Sequence, residues 1–182
     1  MAIGPQKIML IRHAEKPTDK ARGGCKEDGT PNKRSISVRG WQRAGALVTF
    51  FAHPVRPKIA TPNIVFAAAR TDDPTVKPDD AKSLRPLQTV TPLAAKLGLT
   101  VRNDIPVGGE PALVAALKDL DGTVLVAWEH KRIPTIANGF ANAPADWGDV
   151  VFDMVWVLDR NPDGTYAFSI VNQDLLLGDK PA

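Results

Sequence analysis

The sequence predicts an α/β fold: a three-layer sandwich with a mainly parallel central sheet, helices on both faces and a C-terminal antiparallel hairpin. Three observations predict it. Short apolar runs at Lys7 to Arg12, Asn63 to Ala69 and Thr123 to Trp128 read as strands buried on both faces. Helical patterns lie between them, and strands that alternate with helices form mainly parallel sheets. Two further apolar runs near the C-terminus flank Asn161-Pro162-Asp163-Gly164, a turn sequence.

The first run, K-I-M-L-I-R, ends at His13. Pro17 to Ser35 is charged, rich in glycine and proline and without periodicity, so it reads as a long loop of the kind that carries function. Ser37 is placed to cap a helix from Val38 to Ala52, with Trp41, Ala44, Gly45, Leu47 and Val48 on one apolar face and Pro54 as its stop. His53, between helix and proline, suits a helix C-terminus. A second polar loop, Thr71 to Ser83, follows the second strand. Pro86 then stands in the first turn of a helix through Leu97, closed by Gly98. Leu99 to Arg102 reads as a short strand, and Glu110-Pro111 opens a helix to Leu120 that ends at Asp121-Gly122. The third apolar run leads into Glu129-His130-Lys131-Arg132 and a short helix from Pro134. Val151 to Leu158 and Thr165 to Val171 are the predicted arms of the hairpin.

A chain of 182 residues fits one domain, 1–182, able to bury a core without disulfides or metals. Lysine and arginine outnumber aspartate and glutamate by 23 to 20, a net charge of +3 too mild and dispersed for a nucleic-acid or membrane surface. Trp128, Trp147 and Trp156 lack the basic surroundings of a base-stacking platform and read as packing residues. The single cysteine, Cys25, excludes an internal disulfide framework, and no C-x-x-C or H-E-x-x-H spacing marks a metal site. No cofactor is expected. The N-terminus shows neither a leader nor a membrane span, and a reducing cytoplasm fits the composition.

In open α/β sheets, ligands bind beyond the carboxyl ends of the strands. That rule gathers His13, Arg70 or Arg85, and His130 into one place. Neutral imidazole is a competent nucleophile, and an ordinary pKa of about 6.5 leaves much of it neutral at working pH. A phosphoryl group is the natural electrophile. Its transfer demands positioning and neutralisation of the equatorial oxygens, which suits arginine forks. Arg12 adjoins the nucleophile, a second arginine arrives on another loop, and His130 supplies a further donor. The expected partner is a small phosphorylated substrate, and phosphate, sulfate or a similar anion fits the same pocket. None of this chemistry requires a metal.

Four segments, in order, carry a family resemblance. Arg12-His13-Ala14 is similar to an R-H-G signature at the end of a first strand, and S-V-R-G-W-Q-R-A (Ser37 to Ala44) to an S-x-x-G-x-x-R-A helix start. S-L-R-P-L-Q-T-V (Ser83 to Val90) is similar to an S-x-x-R-A-x-Q-T-A segment, and V-L-V-A-W-E-H (Val124 to His130) to a second-histidine strand. The sequence thus resembles the histidine phosphatase, or phosphoglycerate mutase-like, superfamily from Ile8 to about Phe140. The resemblance implies that His13 forms a phosphohistidine while Arg12, Arg85 and His130 complete the phosphate pocket. Arg85 is preferred to Arg70, which lies nearer the end of the second strand.

One branch of the family takes its general acid from a glutamate before a mid-chain helix, and the resemblance places Glu110 there. A carboxylate at a helix start is also favoured electrostatically whatever its function. The other branch uses an acid after the second histidine, where this sequence has Lys131. Glu129 and Lys16 are further candidates for contact with substrate, although Glu129 and His130, as neighbours on an extended chain, are expected on opposite faces. Glu15 is a candidate for contact with substrate, with holding a nearby arginine or a backbone amide the preferred reading. Ala14, in place of the family's glycine, adds a methyl group beside the nucleophile. The expected function is a metal-independent phosphatase acting on a phosphate monoester or phosphoramidate. The alternatives are a non-catalytic phosphate-binding or regulatory domain, and a phosphoglycerate mutase-type phosphotransferase.

Overall fold

A computed structural model describes residues 4–18 and 23–179. The first strand, β1 (Lys7–Arg12), alternates as a strand buried on both faces must. Ile8 and Leu10 enter one apolar cluster, Met9 and Ile11 another. Residues 19–22 of the predicted Pro17 to Ser35 loop lie outside the described residues. The remainder of that loop is not featureless, because Asp28-Gly29 turns a small hairpin between β2 (Gly24–Cys25) and β3 (Pro31–Asn32). Gly29 has φ 82°, which glycine adopts without strain.

Helix α1 (Val38–Ala52) begins where the Ser37 hydroxyl accepts the Gly40 N–H at 3.1 Å, and ends with the His53 N–H on the Thr49 carbonyl. Strand β4 (Ile64–Ala67) follows. The polar stretch predicted from Thr71 to Ser83 contains one helical turn, α2 (Pro78–Ala81), before α3 (Arg85–Leu97). Gly98 closes α3 in the left-handed region, as its position requires. Strand β5 (Val101–Arg102), helix α4 (Glu110–Lys118), strand β6 (Thr123–Trp128) and helix α5 (Ile133–Ala137) complete the alternating part. The C-terminal pair, β7 (Met154–Arg160) and β8 (Tyr166–Asn172), is antiparallel. β7 begins three residues later than predicted. The carbonyl of Val151 accepts from Arg12 and from the Trp147 indole, so that stretch is a loop pinned to side chains rather than a ladder partner.

The sheet runs β5-β4-β6-β1-β7-β8. The first four strands are parallel, and only β7 and β8 reverse direction in turn. Leu47, Phe51, Val90 and Leu93 of α1 and α3 pack on one face with Met9 and Ile11. Leu113, Leu117, Ile133 and Ile136 of α4 and α5 pack on the other with Ile8, Leu10 and Trp128. The three tryptophans at 128, 147 and 156 are all buried, as their sequence context implied.

Register places the chemistry. Arg12 is level with Trp128, and Ala67 with Ala127, so His13, Glu129 and Ala69 emerge side by side at one edge of the sheet. Because β7 is antiparallel to β1, the segment before it, 148–153, arrives at the same edge. Helix α1 closes over the loop after His13 only because position 40 lacks a side chain. A Cβ there would lie 2.7 Å from the Glu15 carbonyl oxygen and 2.7 Å from the Ile36 Cβ. Gly40→Ala gains up to about 1 kcal/mol of helix propensity. The overlap with backbone exceeds it, and a net loss of about 2 kcal/mol is expected as a lower urea midpoint.

Candidate active site

His13 is buried one residue beyond β1. Its Nδ1 lies 2.8 Å from the carbonyl oxygen of Ala14. A carbonyl only accepts, so Nδ1 carries the proton and Nε2 keeps its lone pair. Burial lowers the His13 pKa to about 3; the Ala14 carbonyl opposes that shift, Arg12 and Arg85 add to it, and Glu129 works against it. The ring is therefore neutral at working pH, with a free lone pair beside two cations.

The loop after the nucleophile is fixed from two sides. The Ala14 N–H donates to the Thr89 hydroxyl at 2.8 Å, and that hydroxyl donates to the Arg85 carbonyl at 2.7 Å. Gln88, its neighbour in α3, accepts from the Ile36 N–H and donates to the Ser35 hydroxyl. The Q-T pair thus ties α3 to both segments flanking the site. Ala14 has a negative φ and its methyl group packs with Ile36 and Ala44. That small apolar cluster accommodates the extra methyl group.

Arg12 is buried, with its guanidinium 3.8 Å above the Phe152 ring. One terminal nitrogen donates to the Asp149 and Val151 carbonyls at 2.7 and 3.1 Å, while Nε has no hydrogen-bond partner among the described residues. Burial lowers its pKa to about 10, partly offset by Glu129, Asp149 and Glu15, so the charge persists at neutral pH. Arg85, the first residue of α3, is buried and donates to the Lys33 carbonyl at 3.1 Å. Arg70 is exposed beyond β4. The geometry brings Arg85, not Arg70, into the electrostatic surroundings of His13.

His130 is buried, and its ring lies between two carboxylates. Nδ1 is 2.8 Å from Glu129 Oε1 and Nε2 is 2.9 Å from Asp149 Oδ1. Opposite faces were expected for Glu129 and His130, but the strand ends at Trp128. The turn beyond it brings the Glu129 carboxylate back to its neighbour's ring and into a narrow cleft that it lines with His13, Ala68, Ala69, Asp80, Ser83 and Val107. Burial pushes Glu129 up, yet the His130 ring and the Lys131 N–H outweigh it and hold the carboxylate below its ordinary range. Hydrogen bonding to His130 and the nearby Lys131 likewise lower the Asp149 pKa.

Glu110 is not among the residues lining that cleft. Its Oε1 accepts the Trp128 indole N–H and the Gly108 N–H, each at 2.9 Å. The expectation of a catalytic acid there meets a simpler arrangement, in which a buried carboxylate joins the start of α4 to the end of β6. Lys16 is exposed and lines an open cleft of about 860 Å³ with Arg12, Asp149, Val150 and Phe152.

Glu15 does what its position implied and holds an arginine. Arg43 of α1 donates from Nε to both Glu15 oxygens at 3.1 Å and from Nη2 at 2.8 Å. Beside this pair sits Asp153, buried, with one carboxylate oxygen unpartnered among the described residues. Burial raises its pKa above the ordinary carboxylate value. The native chain thus keeps this proton to higher pH than the unfolded chain does. Its contribution to stability is full below the ordinary carboxylate range and is lost as pH rises through the raised value. Asp153→Asn is expected to raise the urea midpoint at pH 7 and to leave it nearly unchanged below pH 3.5.

No protein-family model matches the sequence, and no curated protein sequence matches it significantly. Solved structures do. The protein histidine phosphatase SixA, complexed with tungstate, superposes with TM-score 0.57 at 13% identity, over 92% of this chain and 97% of that one. A candidate alpha-ribazole-5'-P phosphatase from Escherichia coli K-12 gives 0.58 at 11% identity, covering 94% and 100%. A mycobacterial glucosyl-3-phosphoglycerate phosphatase gives 0.54 at 14% identity, covering 94% and 99%. The chain has the histidine phosphatase fold. The histidine phosphatase fold accounts for the mainly parallel sheet with its antiparallel C-terminal strands, and it extends over nearly the whole of each compared chain. Among the described residues, no helix is long and apolar enough to cross a membrane.

Sequence reasoning missed Asp149, Phe152, Asp80 and Arg43. Of these only Arg43 had a signal, inside the S-V-R-G-W-Q-R-A segment.

Proposed function

We propose that this protein is a phosphatase that transfers the phosphoryl group of a small phosphorylated substrate to Nε2 of His13 and then to water. The observation that carries the reading is the hydrogen bond from Nδ1–H of His13 to Ala14, which leaves Nε2 as a neutral nucleophile close to Arg12 and Arg85. In the first step the Nε2 lone pair attacks phosphorus and the bond to the leaving group breaks. The leaving group takes that electron pair and a proton from solvent water. In the second step water attacks phosphorus and gives up a proton, the P–N bond breaks with its electrons returning to Nε2, and phosphate departs. Arg12 and Arg85 neutralise the equatorial oxygens throughout, and His130 adds a hydrogen bond to them. Glu129 and Lys16 line the approach and contact the rest of the substrate. The binding of tungstate and of VO3 by two proteins of the same fold supports a pocket for a phosphate-like anion.

The two carboxylates beside His130 are held below their ordinary pKa ranges and make poor proton donors, and Glu110 is engaged elsewhere. Substrates whose leaving groups need little protonation, aryl phosphates and phosphoramidates, are therefore the best matched. The test is steady-state hydrolysis of an aryl phosphate, an alkyl phosphate and a phosphoramidate in the presence of a chelator. Turnover in the order aryl phosphate and phosphoramidate above alkyl phosphate is expected. Phosphate binding without turnover of any of the three would replace this reading with that of a phosphate-binding domain.

A further inference from the structure

The carbonyl that orients His13 belongs to the Ala14–Glu15 peptide, and the side chain of Glu15 leads to the far end of the chain. Arg43, 2% exposed, grips Glu15 with Nε and Nη2. Its terminal nitrogens also donate to Asp179, Nη2 to Oδ1 at 2.6 Å and Nη1 to Oδ2 at 3.1 Å. Asp179 is itself anchored, since Oδ2 accepts the backbone N–H groups of Leu175 and Leu176 at 3.0 and 2.9 Å. Gln173 accepts a further Arg43 hydrogen bond at 3.0 Å and donates to the Met154 carbonyl at 3.1 Å. Arg39 reaches both carboxylates from the exposed side, with Glu15 at 3.3 Å and Asp179 at 3.4 Å. The side chains of Glu15, Arg43 and Asp179 are nearly buried, so their mutual attraction is little screened by solvent.

We propose that Asp179 is a positioning residue for the nucleophile. A line of hydrogen bonds runs from the C-terminal turn through Asp179, Arg43 and Glu15 to the peptide whose carbonyl receives Nδ1–H of His13. Burial would push the Asp179 carboxyl up, but Arg43 and the two N–H groups hold it below its ordinary range, so it is charged at neutral pH. A guanidinium gripped by one carboxylate alone can swing. Gripped by two, Glu15 through Nε and Nη2 and Asp179 through Nη1 and Nη2, it fixes the second relative to the first. The Glu15 carbonyl is pinned separately by the Ser37 N–H at 2.8 Å, and the Ala14 N–H by Thr89. The Glu15 side chain supplies the third restraint that sets the peptide plane between them. Without it the Ala14 carbonyl can rotate away, and the Nδ1–H tautomer loses its preference.

The proposal rests on His13 being the nucleophile, and its test has a readout that does not depend on turnover. Asp179→Asn keeps the shape and removes the charge. With the full chain and an aryl phosphate, kcat is expected to fall about 10- to 100-fold while KM and inhibition by inorganic phosphate change less than about threefold, because the phosphate ligands are untouched. In ¹⁵N-histidine NMR the wild type is expected to show His13 protonated at Nδ1 and the variant a mixture of tautomers. Asp179→Glu, which keeps the charge one methylene further out, is expected to recover most of both and serves as the measured variant should Asp179→Asn not fold. An unchanged tautomer and kcat in the folded variant would overturn the proposal. So would a fall in kcat with the tautomer intact, which marks a purely structural role. A wild type that shows the fixed tautomer but hydrolyses nothing would overturn the phosphatase reading and leave the positioning role standing.

Discussion

His13→Ala is expected to lower turnover of an aryl phosphate by at least about 10⁴-fold, the size of effect seen when a covalent nucleophile is removed from a site whose other groups remain. Its neighbours cannot substitute. Arg12 and Arg85 stay cationic, and Glu129 and Asp149 are carboxylates held close to His130. The variant should still bind inorganic phosphate, since the arginines and His130 do not depend on the lost ring. Turnover gone with binding kept is the diagnostic pair of results, read by steady-state kinetics and by calorimetric titration with phosphate. The same variant has a second signature in stability. The folded chain holds His13 neutral down to about pH 3, whereas in the unfolded chain an imidazole takes up its proton near its ordinary pKa. Between those values the unfolded state binds the extra proton, so wild-type stability falls as pH drops from about 6.5 toward 3. His13→Ala removes that contribution. Its urea midpoint is expected to decline less steeply over the window than the wild type's, which separates the titration of this one ring from general acid denaturation.

The sequence made the scaffold legible wherever the signal was local. Strand β1, helix α1 and strand β6 have the bounds that their apolar runs and the Ser37 cap predicted, and the N-P-D-G turn announced the final hairpin. The strand-end rule then brought His13 and His130 to one edge, because the parallel register of β1 and β6 makes their last residues level. What stayed hidden depended on sheet order. Asp149 meets His130 across 19 residues and Asp179 meets Arg43 across 136, and both contacts arise from β7 lying beside β1, which no local pattern specifies. Glu110 shows the opposite case, in which a correct local reading of a helix start left the role open until Trp128 supplied its partner. Glu129 escaped the alternation rule because the strand that enforces it ends one residue earlier.

Arg85→Ala is expected to lower kcat/KM about 10²- to 10³-fold, the cost of removing one donor aimed at charge that develops in a transition state. Arg70→Ala is expected to stay within about twofold of wild type. The contrast follows from place rather than residue type. Arg85 begins α3, whose Thr89 holds the Ala14 N–H, so the helix that fixes the nucleophile's loop also delivers the cation. It is buried, and its charge adds to the depression of the His13 pKa, whereas Arg70 is exposed to solvent beyond β4. Arg85→Lys separates charge from geometry. A lysine keeps the cation but loses the planar fork, and an intermediate loss in kcat/KM is expected. Inhibition by vanadate or tungstate should weaken in the same order, wild type, Arg85→Lys, Arg85→Ala, because each anion asks for the same equatorial donors as the transferring phosphoryl group. If Arg70→Ala gave the large loss and Arg85→Ala the small one, the second phosphate arginine would come from the end of β4, and α3 would serve only to hold the loop.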